Sequence, residues 1–160
     1  MRRVLFLDVD GVLNSVLYLQ QAENMNHAEP NWAPGMRYDP ALMIDPTLVA
    51  RLNAIIEGLD VDVVLSSSWR WAFSIEQMRS FLTRRGFAGR LVDFTPSIGL
   101  RHTEIATWLA AHPVDRFVIL DDMKSAGDTM DEHMVYMPDG LEDEHVERAR
   151  DILRGPGRAS

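Results

Sequence analysis

The 160-residue chain contains no cysteine. It can therefore form no disulfide, offer no thiolate nucleophile and bind no cysteine-ligated zinc. Such a composition suits the cytoplasm, which is the expected setting. No run approaches the roughly 18 apolar residues of a membrane-spanning helix. Met1-Arg2-Arg3 followed by four apolar residues resembles the start of a secretory leader, but Asp8 and Asp10 break the run too early for an h-region. Positive charge is also scarce. Sixteen Lys and Arg stand against 24 Asp and Glu, a net charge of −8. This argues against an extended nucleic-acid groove that works by neutralising many phosphates, while leaving room for a pocket that takes one phosphate beside a bound cation. The five histidines show no metal-ligand spacing, and the chain has no internal repeat.

What is present is ordinary for a globular protein, with 46% hydrophobic and 25% charged residues. The length fits one domain over residues 1–154, followed by a disordered tail over 155–160. Strand and helix patterns alternate, which predicts an α/β fold with a mainly parallel sheet and helices on both faces. Val4-Leu5-Phe6-Leu7 is apolar throughout, as a strand buried on both faces should be, and predicts a first strand over residues 3–8. Further strands are expected over Val61–Leu65 and over residues 91–94, 117–120 and 134–137. Asp45-Pro46 is an N-cap followed by proline at the first helical position, and Leu48, Leu52, Ile55, Ile56 and Leu59 fall on one face of the helix it opens. Ser74 with Gln77 forms a capping box. Ile105, Trp108 and Leu109 mark another helix with Trp108 in its core face, and the acidic run Glu142-Asp143-Glu144 opens a last one. Residues 15–45 read as a long irregular segment and predict a small lid, packed by its own aromatics or using Trp32 and Tyr38 to stack a base.

The chemistry collects where strands end. Asp8-Val9-Asp10-Gly11 closes the first strand, Ser66-Ser67 the second and Asp121-Asp122 the strand over 117–120. In a parallel sheet these ends share one edge, where ligands of open α/β folds bind. Four crowded carboxylates raise one another's pKa, and a divalent cation removes that penalty. Magnesium, which prefers oxygen ligands and substrate phosphate, is the expected ion. Asp60-Val61-Asp62 has the same spacing but precedes its strand, so it falls on the opposite edge and reads as solvated charge without chemistry.

Asp8-Val9-Asp10-Gly11-Val12-Leu13-Asn14 resembles the first motif of the haloacid dehalogenase (HAD) superfamily of phosphohydrolases. Ser66-Ser67 resembles the second, Arg101, about twenty residues before Asp121, the third, and Val118-Ile119-Leu120-Asp121-Asp122 the fourth. More narrowly, residues 65–70, Arg101-His102-Thr103-Glu104-Ile105 with Trp108-Leu109, and Leu120-Asp121-Asp122 resemble the small HAD domains of bacterial and phage RNA-repair proteins. The resemblance implies a three-layer Rossmann-like fold and a magnesium-dependent phosphomonoesterase. Asp8 would be the nucleophile that forms an aspartyl-phosphate, and Asp10 the general acid and base. Asp8, the backbone carbonyl of Asp10, and Asp121 would hold magnesium, with Asp122 as a further ligand or a water-holder. Ser67 or Ser66 would hydrogen-bond the phosphoryl group, and Arg101 would neutralise its developing charge. The substrate would be a nucleotide or a nucleic-acid terminal phosphate, with a sugar phosphate or other small metabolite as the alternative.

Three points of the motif match stay open in the sequence. Three consecutive serines leave the second-motif register between Ser66 and Ser67, with Ser67 preferred for lying two before Trp69. Arg101 stands where the family more commonly has lysine, with Lys124 as a rival. Asp128 is the nearest further acid after Asp122. Arg70 reads equally as a substrate-side cation and as a surface salt bridge. A cation at the start of a helix is disfavoured by the helix dipole, so the position of Arg101 hints at function. A response-regulator receiver would also use a strand-end aspartate and magnesium, but the D-x-D-G turn and the large insert after it argue against one. A catalytically dead binding module is opposed by intact Asp8 and Asp10.

Overall fold

The computed structural model describes residues 1–28 and 39–155, with side chains to residue 22 in the first segment. Trp32, Tyr38 and the tail over 156–160 lie outside the described residues. Strands β1 (Arg3–Leu7), β2 (Val61–Leu65), β3 (Arg90–Phe94), β4 (Arg116–Asp121) and β5 (Met134–Tyr136) form one sheet in the order β3-β2-β1-β4-β5. Every neighbouring pair is parallel. This is the α/β, Rossmann-like architecture expected. The strand order reverses at β1, and the C-terminal edge there is the place where such sheets bind ligands.

The apolar run of β1 is buried because both faces of the sheet are covered. Leu5 and Leu7 pack into one core with residues of α2 (Pro46–Ile56), α3 (Ile75–Arg84) and α5 (Asp143–Arg154). Val4 and Phe6 pack on the other face with Ile105 and Trp108 of α4 (Arg101–Ala111). There the Phe6 ring meets Trp108 edge-on at 5.5 Å. The helix starts follow their caps. Asp45 accepts a hydrogen bond from the Thr47 amide at 2.9 Å, and Ser74 and Gln77 form the reciprocal capping box.

The segment over 15–45 is more regular than its sequence suggests. Helix α1 (Val16–Ala28) occupies much of it, and a short 3-10 turn spans Pro40–Met43. Ser15 accepts from the Tyr18 amide at 3.1 Å and starts α1. The sequence conceals this helix because its apolar residues form no stripe: Val16 and Leu17 are exposed while Ala22 is buried. Its base is fastened to the body, with the Tyr18 hydroxyl 2.9 Å from the Leu42 carbonyl and receiving a 2.7 Å bond from Arg85.

Candidate active site

The sheet register delivers the polar residues to one place. Leu7 pairs with Leu65 on one side and with Leu120 on the other. The next row is therefore Asp8, Ser66 and Asp121, continued by hydrogen bonds from the Asp8 amide to the Leu120 carbonyl and from the Ser66 amide to the Leu7 carbonyl. Asp8, Asp121 and Asp122 each offer a carboxylate oxygen within 4.8 Å of the others. Asp8 and Asp121 are buried and Asp122 is exposed. Asp122 fits because residue 11 is glycine: a Cβ there would lie 2.2 Å from a carboxylate oxygen of Asp122. Gly11 also has a φ of +79°, so the same residue serves the turn and the close approach.

Arg101 is the one cation that reaches these acids among the described residues. Its Nη1 donates to Asp121 at 2.9 Å and lies 3.3 Å from Asp8. That contact explains a cation at the dipole-disfavoured first turn of α4. Lys124 has its ammonium 4.9 Å from the centroid of the ring of Tyr136, the residue paired with Asp121 on β5. Asp128 is not in the carboxylate cluster. One guanidinium does not balance three carboxylates. Burial first, and then Asp121, push the Asp8 carboxyl up to about 8 despite the opposing pull of Arg101. Asp121 is also raised, by burial, against the lowering effect of Arg101. Burial opposes the charge on Arg101, but Asp121 and Asp8 outweigh it and hold the guanidinium protonated. The site is thus short of positive charge, and its donors are all carboxylate oxygens. These residues suit a hard divalent cation, and magnesium fits that donor set.

Asp10 leaves the cluster and faces solvent. It accepts a 3.1 Å bond from the Asn14 amide, whose oxygen takes the Gly11 N–H at 2.8 Å. Asn14 is fully buried and is anchored by a 3.1 Å bond to the Met43 carbonyl. It is therefore the residue that aims Asp10.

The family described as the HAD domain in Swiss Army Knife RNA repair proteins matches residues 4–146. The chain belongs to this family. No curated protein and no solved structure matches the chain. As a HAD domain it is a phosphatase-type hydrolase, and its five-stranded parallel sheet is the fold the family requires.

The geometry bears on two further groups of residues in this HAD site. The hydroxyl of Ser67 already accepts from the Trp69 amide at 3.2 Å, so it caps the following turn. Ser66 stands in the row of Asp8 and Asp121, and its buried hydroxyl has no hydrogen-bond partner among the described residues. Ser66 is thus the hydroxyl in the row of the two buried carboxylates, while the Ser67 hydroxyl, which accepts from Trp69, keeps its own proton to donate. Arg70, read as a substrate-side cation or a surface salt bridge, is neither. Its side chain is 2% exposed and pairs with Glu104 at 2.7 Å. Its Nη1 donates to the Ser66 and Ser67 carbonyls at 2.9 and 2.8 Å. Glu104 also accepts from the Ile98 amide at 2.9 Å. The buried pair thus fastens the serine loop to the helix that carries Arg101. Glu104 does not stand out in the sequence, because an acid in the first turn of a helix looks like an ordinary partner of the dipole.

Among the described residues, no helix is long and apolar enough to cross a membrane.

Proposed function

We propose that this HAD domain is a magnesium-dependent phosphomonoesterase that works through an aspartyl-phosphate on Asp8, and that its substrate is a nucleotide or a nucleic-acid terminal phosphate. The observation that carries this reading is the convergence of Asp8, Asp121, Asp122 and Arg101 at the C-terminal end of β1 and β4. The family's RNA-repair setting supports the substrate class.

Asp8, Asp121, Asp122 and the Asp10 backbone carbonyl would hold the ion. A bound magnesium supplies the missing positive charge, which favours the anionic form of Asp8 and offsets charge on the phosphoryl oxygens. The Asp8 carboxylate attacks phosphorus, and the bond from phosphorus to the ester oxygen breaks. Asp10 gives its proton to that leaving oxygen, so the alcohol departs neutral. Asp10, now a carboxylate, takes a proton from water as the water attacks the phosphorus of the aspartyl-phosphate. Inorganic phosphate leaves and both acids return to their starting forms. In this reading Arg101 and the Ser66 hydroxyl bind the transferring oxygens, and Arg101 contributes most as charge builds on them. Asn14 keeps Asp10 turned away from the buried acids, where a proton donor to the leaving group is needed.

The test is phosphate release from a panel of 3′- and 5′-phosphorylated oligonucleotides, nucleotides and sugar phosphates, with and without magnesium. Release that needs magnesium and Asp8, and a phosphoprotein trapped by acid quench, are expected. A stable phosphoprotein without turnover would instead mark a receiver-like phospho-acceptor. Turnover of sugar phosphates in preference to nucleotides would move the substrate to small metabolites.

A further inference from the structure

Among the described residues, the exposed large apolar side chains fall, Met1 apart, on one edge of the sheet. They are Met1 and six others: Val16, Leu17, Trp71, Ile98, Leu100 and Met123. Those six follow the C-terminal ends of β1, β2, β3 and β4, so all lie on the edge that carries Asp8 and Asp121. Exposed apolar groups gathered beside a polar site mark a binding surface.

Trp71, Ile98 and Leu100, which follow β2 and β3, form one flank of it. They are 68%, 57% and 69% exposed. The Trp71 indole N–H donates to the Ser97 hydroxyl at 2.8 Å, which fixes the ring. The Arg70 guanidinium carbon lies 5.4 Å from the ring centroid. The same guanidinium touches the Ser66 carbonyl, and its partner Glu104 holds the Ile98 amide. The aromatic face and the phosphate-side serine are therefore built on one buried ion pair, and Leu100 immediately precedes Arg101.

We propose that this flank is the leaving-group subsite and that it takes a nucleobase, stacked on Trp71, while the adjoining terminal phosphate meets Asp8. The proposal rests on the phosphomonoesterase reading and names the part of the substrate it binds. The charge pattern selects the occupant. A polyanionic chain held by its phosphates would need free cations here. Arg70 is buried, Arg101 lies against Asp8 and Asp121 where the one reacting phosphate is proposed to sit, Lys124 is a single exposed cation over Tyr136, and the chain carries −8 overall. A sugar phosphate would leave the exposed apolar surface uncovered. A flat base covers it, since every base has a π-face that can stack on an aromatic ring.

The experiment compares Trp71→Ala and Trp71→Phe with the unaltered protein on phosphorylated oligonucleotides and on glycerol phosphate, which has no ring. The reading is the ratio of kcat/KM for the two substrates. Trp71→Ala should lower this ratio about tenfold or more, chiefly through KM for the oligonucleotide, and Trp71→Phe should restore most of it. An equal loss on both substrates would show that Trp71 only shapes the fold and would overturn the proposal. Ribo- and deoxyribo-oligonucleotides and mononucleotides in parallel separate a polymer end from a free nucleotide. Binding keeps the test independent of turnover: the fluorescence anisotropy of a dye-labelled, unphosphorylated oligonucleotide should saturate with the unaltered protein, and its affinity should weaken about tenfold in Trp71→Ala. Absence of phosphatase activity with Trp71-dependent binding would sink the enzymatic reading and keep the subsite. Phosphatase activity with no such binding, or a dimer that Trp71→Ala dissociates without changing oligonucleotide affinity, would overturn the subsite and keep the enzyme.

Discussion

Asp-Val-Asp occurs twice in this chain, at 8–10 and at 60–62, and the two copies sit at opposite ends of adjacent strands. Both central valines are buried. The acids differ in everything else. At the lower edge, Asp62 takes bonds from Arg2 at 3.3 Å and Arg90 at 2.9 Å, and Asp60 pairs with Arg90. Two arginines balance two acids in contact with water. At the upper edge one arginine faces three acids, two of them buried. The carboxyl shifts follow. Asp60 is lowered by its hydrogen bond from Arg90, whereas Asp8 is raised to about 8 by burial and by Asp121. The same tripeptide is a solvated ion pair at one end and an unbalanced acidic centre at the other. Strand direction and the supply of arginine decide which.

The comparison breaks first at Asp8. Asp8→Asn should abolish phosphate release, by about a thousandfold or more, because it removes the carboxylate proposed to attack phosphorus. The variant should remain folded and melt higher than the unaltered protein in the absence of metal, since it removes a buried carboxyl that resists ionisation. Steady-state assays and thermal melts in EDTA check both. Arg101→Ala should lower kcat by about a hundredfold to a thousandfold, the range for loss of a charge-stabilising donor. Retention of activity in that variant would hand the role to Lys124.

The buried and exposed arginine pairs sharpen the contrast in stability. Glu104→Leu leaves the Arg70 guanidinium buried without a counter-charge and should cost about 3–5 kcal/mol in urea unfolding. Adding Arg70→Met should recover much of this, because a buried ion pair exchanged for apolar groups is often nearly neutral. Activity should not return with it, since the Ser66 and Ser67 carbonyls have lost their anchor. Recovery of both together would reduce the pair to packing.

The pH dependence carries the sign of the Asp8 shift. The unfolded carboxyl ionises near 3.8 and the folded, metal-free one near 8. Between those values the native state holds a proton that the unfolded chain has lost, so metal-free stability falls as pH rises through this window. The raised carboxyl of Asp121 acts in the same direction. Magnesium competes with that proton. Its stabilising effect on the melting temperature should therefore be larger at pH 8 than at pH 5, and Asp8→Asn should flatten the difference. A magnesium shift independent of pH would detach the cation from Asp8.

Much of this contrast is legible in the amino-acid sequence. Apolar runs locate the buried strands, because a strand covered on both faces has no alternating pattern to blur it. The caps Asp45 and Ser74 announce their helices, because each pairing is local in sequence. Strand direction then puts Asp8, the serines and Asp121 on one edge. What stays hidden depends on distant partners or on weak patterns. Helix α1 has no apolar stripe. The Arg70–Glu104 pair joins residues 34 apart, and nothing in either neighbourhood tells a buried guanidinium from an exposed one. The choice between Ser66 and Ser67 turns on register against Leu7, which is set only once the sheet has formed.

The smallest expected effect is the control that the comparison needs. Asp60→Asn removes one carboxylate from the second Asp-Val-Asp. Its partner Arg90 keeps Asp62, at 2.9 Å, and both Asp60 and Arg90 are largely in water, where screening weakens such pairs. Phosphate release should stay within about twofold of the unaltered protein, since exposed charge away from a site moves little. The lowered carboxyl of Asp60 favours the folded state above the ordinary carboxylate range and loses that contribution as pH falls through its folded pKa. Any change in the melt should therefore appear at neutral pH and vanish in acid, opposite in direction to the behaviour of Asp8. If Asp60→Asn instead depressed activity or altered the magnesium response, the two ends of the sheet would be coupled, and the chemistry would no longer follow from strand direction and the balance of arginine alone.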